Sequence, residues 1–225
     1  MSEPLPDPFS PGPPISKIDY SRRYTVEEYF EIELRTGFRH EYYNGEIFPL
    51  DGPDVPPEMM AGATRRHNDL VYNCRRALTE RLRNSGCRVY AENVRTRMAR
   101  GKEYAFPDIV VTCDPNDRDE RLVTSPNVIM EVLSDSTEAR DRGWKMEQYF
   151  RIPSLMQYVL ISQGRVLIES YTRGEGETWI RAAFDDRGAF VPFPVLGLEV
   201  SVSELYEFVQ VPEFRLWRNP EPPAE

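Results

Sequence analysis

The sequence predicts a mixed α/β fold, with one central β-sheet flanked by helices. Three observations carry that reading. Apolar, β-branched runs of strand length recur, most clearly Tyr104–Thr112 and Asn127–Ser134. Two longer stretches, Thr64 to Asn84 and Thr137 to Arg151, read as helices. Glycine-bearing turns at Asn44-Gly45, Gln163-Gly164 and Gly174-Glu-Gly176 punctuate the strands.

Residues 1–22 hold Pro4, Pro6, Pro8, Pro11, Pro13 and Pro14 and are expected to form a disordered tail, since such a segment sustains neither helix nor sheet. Thr25-Val-Glu-Glu28 is a capping box, opening a short helix with Tyr29, Phe30, Ile32 and Leu34 that ends near Gly37. Phe38 to Leu50 reads as two short strands around the hairpin turn Asn44-Gly45. Asp51 to Pro57 is a proline-rich loop.

In the Thr64–Asn84 helix, Leu70, Val71, Cys74, Ala77, Leu78 and Leu82 form the apolar face, arginines crowd the other, and Gly86 is the stop. Cys87–Asn93, Val94–Met98, Pro107–Thr112 and Val128–Leu133 are strand candidates, with an acidic loop from Asp114 to Asp119. The helix Thr137–Arg151 is closed off by Pro153 and weakened at Gly143. Met156–Ser162, Val166–Arg173 and Trp179–Phe184 form a meander, and Ser203 caps a last helix through Gln210. The expectation is a single domain over 23–212, followed by a flexible tail over 213–225.

A hydrophobic share of 40% and an aromatic share of 12% suffice for a packed core. No apolar run approaches a membrane span and the N-terminus lacks a signal-peptide layout, so the cytoplasm is the expected location. Cys74, Cys87 and Cys113 lack metal-ligand spacing and read as small core residues. Two histidines, His40 and His67, argue against a His-rich zinc site. The net charge of −9 disfavours an anionic partner, but its distribution does not. From Arg65 to Lys102, eleven Lys/Arg stand against three acids, a local balance of +8 that leaves −17 for the rest. Such asymmetry points to a basic face for an anion, where the blander alternative is a solvated charge run.

The chemistry concentrates in two acids and a lysine. Asp108 and Glu131 each sit in an apolar strand, where an ionised carboxylate needs a partner or a metal. Asp108 follows Pro107, which suits a strand start or a bend beside a site. Glu131 could be an ordinary outward-facing residue, but Val128–Leu133 carries no other charge, which favours a site. Lys145 lies four residues after Asp141, on the same side of a helix; spacing alone fits an exposed lysine paired with that acid. His67 near the start of the arginine-rich helix fits a structural or a functional role, and Glu41 and Glu46 flank the hairpin turn with nothing to choose between them. Two acids and a lysine are the parts needed for metal-assisted phosphodiester hydrolysis, in which Mg²⁺ or Mn²⁺ activates water and neutralises charge.

Phe106-Pro-Asp-Ile-Val-Val111, Ile129-Met-Glu-Val-Leu-Ser134, Asp141-Arg-Gly-Trp-Lys145 with Tyr149, and Ile152-Pro-Ser154 resemble the Uma-type restriction-endonuclease family of the PD-(D/E)XK nuclease superfamily. Met60–Asn68 and Arg39–Glu46 look like it too, and the resemblance covers roughly residues 24–210. It implies a restriction-endonuclease-like core, metal binding by Asp108, Glu131 and the backbone carbonyl of Val132, and Glu41 as an acid contributed from the N-terminal part. One departure matters. The superfamily places its lysine two residues after the second acid, where this chain has Leu133; the resemblance makes Lys145, from the following helix, the replacement.

The reading that follows is a Mg²⁺- or Mn²⁺-dependent DNA endonuclease acting on duplex DNA, with Arg65, Arg66, His67, Arg95 and Arg97 on the nucleic-acid-binding side. A homodimer would suit cutting two strands, though no spacing demands it. The rival is a catalytically inactive nuclease-fold protein that binds nucleic acid or serves in assembly, favoured by the acidic remainder. A glycosidase-like acid pair is a third reading and lacks an aromatic sugar platform.

Overall fold

The computed structural model of the chain describes residues 18–50, 64–98, 102–135 and 137–212. The local signals at the N-terminal end form as expected. Helix α1 (Val26–Thr36) carries its capping box, the Thr25 side chain accepting the Glu28 N–H and Glu28 accepting the Thr25 N–H at 2.8 Å. It stops at Gly37, whose φ of 70° is the left-handed conformation a terminating glycine allows. Strands β1 (His40–Tyr43) and β2 (Glu46–Pro49) are joined by Asn44 and Gly45, both at positive φ, as a tight hairpin turn requires. Ile18 is buried in the same cluster as Tyr24, Tyr29, Ile32 and Tyr42. Ile18, inside the span expected to be tail, is therefore packed. Residues 1–17, the Asp51–Pro57 loop and the expected tail over 213–225 lie outside the described residues.

Helix α2 (Arg65–Leu82) is capped by Thr64, whose hydroxyl accepts the His67 N–H at 3.1 Å. Its apolar stripe packs on a six-stranded sheet ordered β11 (Trp179–Phe184), β10 (Ile168–Arg173), β9 (Gln157–Ser162), β8 (Pro126–Leu133), β6 (Ile109–Thr112), β3 (Arg88–Ala91). The sheet is mixed: β8 and β9 run parallel and every other pairing is antiparallel. A parallel pair needs a crossover. Here it is α3 (Glu138–Arg140), a π-helical turn (Asp141–Lys145) and α4 (Met146–Phe150). The long helix expected over Thr137–Arg151 is thus broken, at the Gly143 weak spot, where φ −100° and ψ −117° are not helical.

Beside this mixed central sheet stands a second, five-stranded one, ordered β2, β1, β5 (Tyr104–Ala105), β4 (Arg95–Arg97), β7 (Leu122–Val123). The run Tyr104–Thr112 is not one strand. Tyr104 pairs with Tyr42 of β1, whereas Ile109 pairs with Met130 of β8. Pro107 has no N–H with which to continue a ladder, so the chain changes sheets there. A ribbon of β12 (Phe190–Phe193) and β13 (Leu198–Ser201) and helix α5 (Val202–Leu205) close the α2 side. The last helix follows Ser201, not Ser203, and is shorter than expected.

Alternation along β8 divides the core. Val128, Met130 and Val132 face α2, while Ile129 and Leu133 face Tyr149, Ile152 and Tyr158. Cys74 is the small core residue expected, but Cys87 and Cys113 are disulfide-bonded with Cα atoms 4.0 Å apart. They flank the paired residues Arg88 and Thr112 and so meet across neighbouring strands. Among the described residues no helix is long and apolar enough to cross a membrane.

Candidate active site

The antiparallel register that pairs Ile109 with Met130 sets Asp108 opposite Glu131. Opposed residues project from the same face, so sheet geometry alone brings the two acids together. The Asp108 N–H donates to Glu131 Oε2 at 3.1 Å, and the Val132 N–H donates to Asp108 Oδ2 at 2.7 Å. Glu131 is 2% exposed and lies on the face of β8 that looks toward the crossover. From that crossover comes Lys145, 3% exposed, whose ammonium donates to Glu131 Oε1 at 2.9 Å. The same nitrogen is 3.1 Å from Glu41 Oε1 and 3.2 Å from Asp141 Oδ1. Lys145 is therefore no exposed helix lysine. One buried cation is shared by three carboxylates from three separate elements.

Glu41 arrives from the second sheet, because β1 pairs with β5 and β5 leads directly into Phe106-Pro107-Asp108. Arg140 lies 3.5 Å from its Oε2. Both Glu41 oxygens, and Asp141 Oδ1, are buried at ion-pairing distance from cations but off hydrogen-bond geometry. Glu46 is exposed beside Arg23, so the choice between the hairpin acids falls on Glu41.

His67, from the first turn of α2, places Nε2 3.3 Å from Asp108 Oδ1. That position puts His67, expected on the nucleic-acid-binding side with its role open, among the carboxylates. Together these groups line a cleft of about 180 Å³ that Val132 also borders.

Electrostatics follow from burial. Desolvation pushes the Glu131 carboxyl up to about 8, despite the opposing pull of Lys145. Burial alone would lower the Lys145 amine, but Glu131 and Glu41 outweigh it and hold the ammonium well above its usual range. Burial would likewise lower His67, and the hydrogen bond to Asp108 reverses this and raises it. Tyr149 and Tyr158 are pushed up by burial and stay neutral. The Tyr149 hydroxyl donates to Glu131 Oε1 at 3.0 Å, and that of Tyr158 to the Asp141 carbonyl at 3.0 Å. Asp141, Tyr149 and Arg140 are parts of this site beyond the expected set. Asp141, Lys145 and Tyr149 recur at intervals of four, a spacing legible in the sequence as one helical face.

Among the described residues, no three His, Cys, Asp or Glu side chains form a ready metal cluster. The donor set nevertheless suits a hard cation. Mg²⁺ typically uses one or two carboxylates and keeps several waters, and Asp108 and Glu131 offer that pair. The buried Glu41 and Asp141 carboxylates, ion-paired to Lys145 and Arg140, lie beside it.

The basic region is less available than its charge suggests. Arg65 and Arg66 are exposed at the start of α2. Arg76 and Arg81 pair with Glu207 and Glu204. Arg95, expected to meet nucleic acid, pairs with Glu33, donates to the Tyr29 hydroxyl at 3.0 Å and covers the Phe30 ring at 4.8 Å. Arg97 is half-buried, with its Nε sequestered from solvent. Of the four arginines expected there, two are displayed.

Comparison with known proteins agrees with this architecture. Residues 26–203 match the model of the Uma2 family, described as "Putative restriction endonuclease". An uncharacterized protein of Synechocystis sp. is 30% identical over 200 residues, covering 88% of this chain and 95% of its own. A second from the same organism is 28% identical over 177 residues, covering 77% and 94%. The crystal structure of a "putative nuclease belonging to DUF820" from Anabaena variabilis superposes with a TM-score of 0.64 at 18% identity, covering 83% of this chain and 99% of that one. At that identity the likeness shows a shared fold.

Proposed function

The chain belongs to the Uma2 family, and from that premise we propose that it is a metal-dependent endonuclease hydrolysing DNA phosphodiester bonds. One observation carries the proposal: Asp108, Glu131, Lys145 and Glu41, from two sheets and a crossover, converge on one cleft. Asp108 and Glu131, with the Val132 carbonyl, would hold Mg²⁺ or Mn²⁺, which supplies Lewis-acid stabilisation and an activated water.

The protein's own groups divide the remaining work. Lys145 is held as the ammonium, so it acts as a donor to phosphate oxygens or to the attacking water and not as a base. Tyr149 and the Asp108 N–H fix the Glu131 carboxylate from its two ends. His67 fixes Asp108 and adds positive charge beside the substrate phosphate when protonated. Arg65 and Arg66 would contact the duplex backbone, giving affinity that is blind to sequence and weakens with salt.

The test is nicking of supercoiled plasmid in Mg²⁺, Mn²⁺ or EDTA by wild type, Glu131→Ala and Lys145→Ala. Metal-dependent nicking absent from both variants supports the assignment; loss only in Glu131→Ala removes Lys145 from it. The rival reading, a non-catalytic nucleic-acid-binding or assembly module, is favoured by the pairing of Arg76, Arg81 and Arg95 with acids. It predicts no nicking under any metal, whether or not DNA is bound.

A further inference from the structure

A second and larger cavity, of about 780 Å³, opens beside the catalytic cleft, and Arg39, Asn93 and Phe106 line both. Its volume falls within the range of roughly 300–1,000 Å³ typical of small-molecule sites. Its walls are unusual for a surface meant only for water. Leu34 is 64% exposed and Phe38 38% exposed, and Phe106 lies beneath the Arg39 guanidinium at 5.9 Å. Arg121, Asp119 and Glu120 also line it.

Building on the nuclease reading, we propose that this groove is a subsite for one unpaired nucleotide of the substrate strand, next to the phosphate that is cut. The chemistry selects that occupant in three ways. A flat base presents an apolar face to Phe38 and Leu34, and stacking on aromatic rings and guanidinium planes is how proteins hold unpaired bases. The phosphate leaving the base meets Arg39 at the junction with the cleft. Asp119 and Glu120 would repel a duplex backbone, but they can accept hydrogen bonds from an exocyclic amino group, as carboxylates do from cytosine. Glu33, which also borders the groove, is neutralised by Arg95 and accepts the His40 N–H at 2.7 Å, so it adds no repulsion. The substrate class that follows is duplex DNA with an unpaired end or flap, preferring an amino-bearing base over thymine at the first unpaired position.

The experiment compares a blunt duplex with the same duplex carrying a short overhang that begins with the fluorescent base 2-aminopurine. The full chain is titrated in EDTA, so that nothing is cut, and both anisotropy and base fluorescence are read. Wild type should bind the overhang about tenfold tighter, the scale of a single base stack, with the fluorescence quenched. Phe38→Ala should lose the preference and the quenching, keep its blunt-duplex affinity and still nick plasmid in Mn²⁺. Phe38→Trp, which preserves a stacking face, should retain both. Equal affinity for the two duplexes with unquenched fluorescence, from a wild type that nicks plasmid, overturns the subsite and leaves the nuclease reading standing. Absence of both nicking and DNA binding overturns the two together.

Discussion

Glu131→Gln should become progressively more stable than wild type as pH rises, while abolishing activity. Burial raises the folded carboxyl to about 8 from an ordinary value of 4.5. Between those values the folded state keeps a proton that the unfolded state releases. The stabilisation from this raised group is therefore complete below the unfolded value and lost as pH climbs through the folded one. Glutamine cannot titrate and lacks this dependence.

At pH 5.5 the unfolded carboxyl is already about nine-tenths ionised and at pH 8 essentially fully so, whereas the folded one goes from protonated to only half ionised. The difference amounts to about 3 kcal/mol in favour of the variant. A fixed penalty offsets part of it: the amide nitrogen would face the Asp108 N–H where Glu131 Oε2 now accepts, at about 1–3 kcal/mol for a mismatched buried donor. That penalty does not vary with pH, so the change in the stability difference isolates the carboxyl. Urea denaturation of both proteins in EDTA at pH 5.5 and pH 8 measures it. A difference constant to within about 0.5 kcal/mol, or one that shrinks with pH, refutes the buried, proton-holding Glu131.

Other expectations rest on the same network. Lys145→Met strands three buried carboxylates and should destabilise the fold by about 3–5 kcal/mol at pH 8, which chemical denaturation reads. Tyr149→Phe keeps the ring packing but removes the donor to Glu131 Oε1. It should lower kcat for a short DNA substrate on the order of tenfold, with KM little changed, the scale of a hydrogen bond to a charged group. Arg65→Ala with Arg66→Ala should flatten the dependence of duplex affinity on log salt by roughly two units, if both side chains contact phosphates; an unchanged slope would free the α2 N-terminus of that role.

How much of this was legible depends on the range of the interaction. The Thr25 capping box, the Asn44-Gly45 turn and the apolar stripe of α2 are local signals, and each formed where the residues said. The acids Asp108 and Glu131 stood out because charge in an apolar strand is costly, and register then set them face to face. What spacing could not supply was long-range. No local rule separates Glu41 from Glu46; β1 pairing with β5, sixty residues on, decides it. No local rule says that Tyr104–Ala105 and Ile109–Thr112 belong to different sheets, although Pro107 marks the break. Cys87 and Cys113 look like core residues until β3 pairs with β6. The basic run was overread for the same reason. Its partners Glu33, Glu204 and Glu207 come from distant elements, and they turn surface charge into internal ion pairs.

The most direct test of the site is calorimetric titration of Mn²⁺ into the full chain at pH 8, with wild type beside Asp108→Ala. A metal-dependent active site predicts saturable binding to wild type, with proton release as Glu131 ionises, and loss of that binding in the variant. No Mn²⁺ binding to wild type, or equal binding by Asp108→Ala, would contradict the assignment of Asp108 and Glu131 as the metal-holding pair.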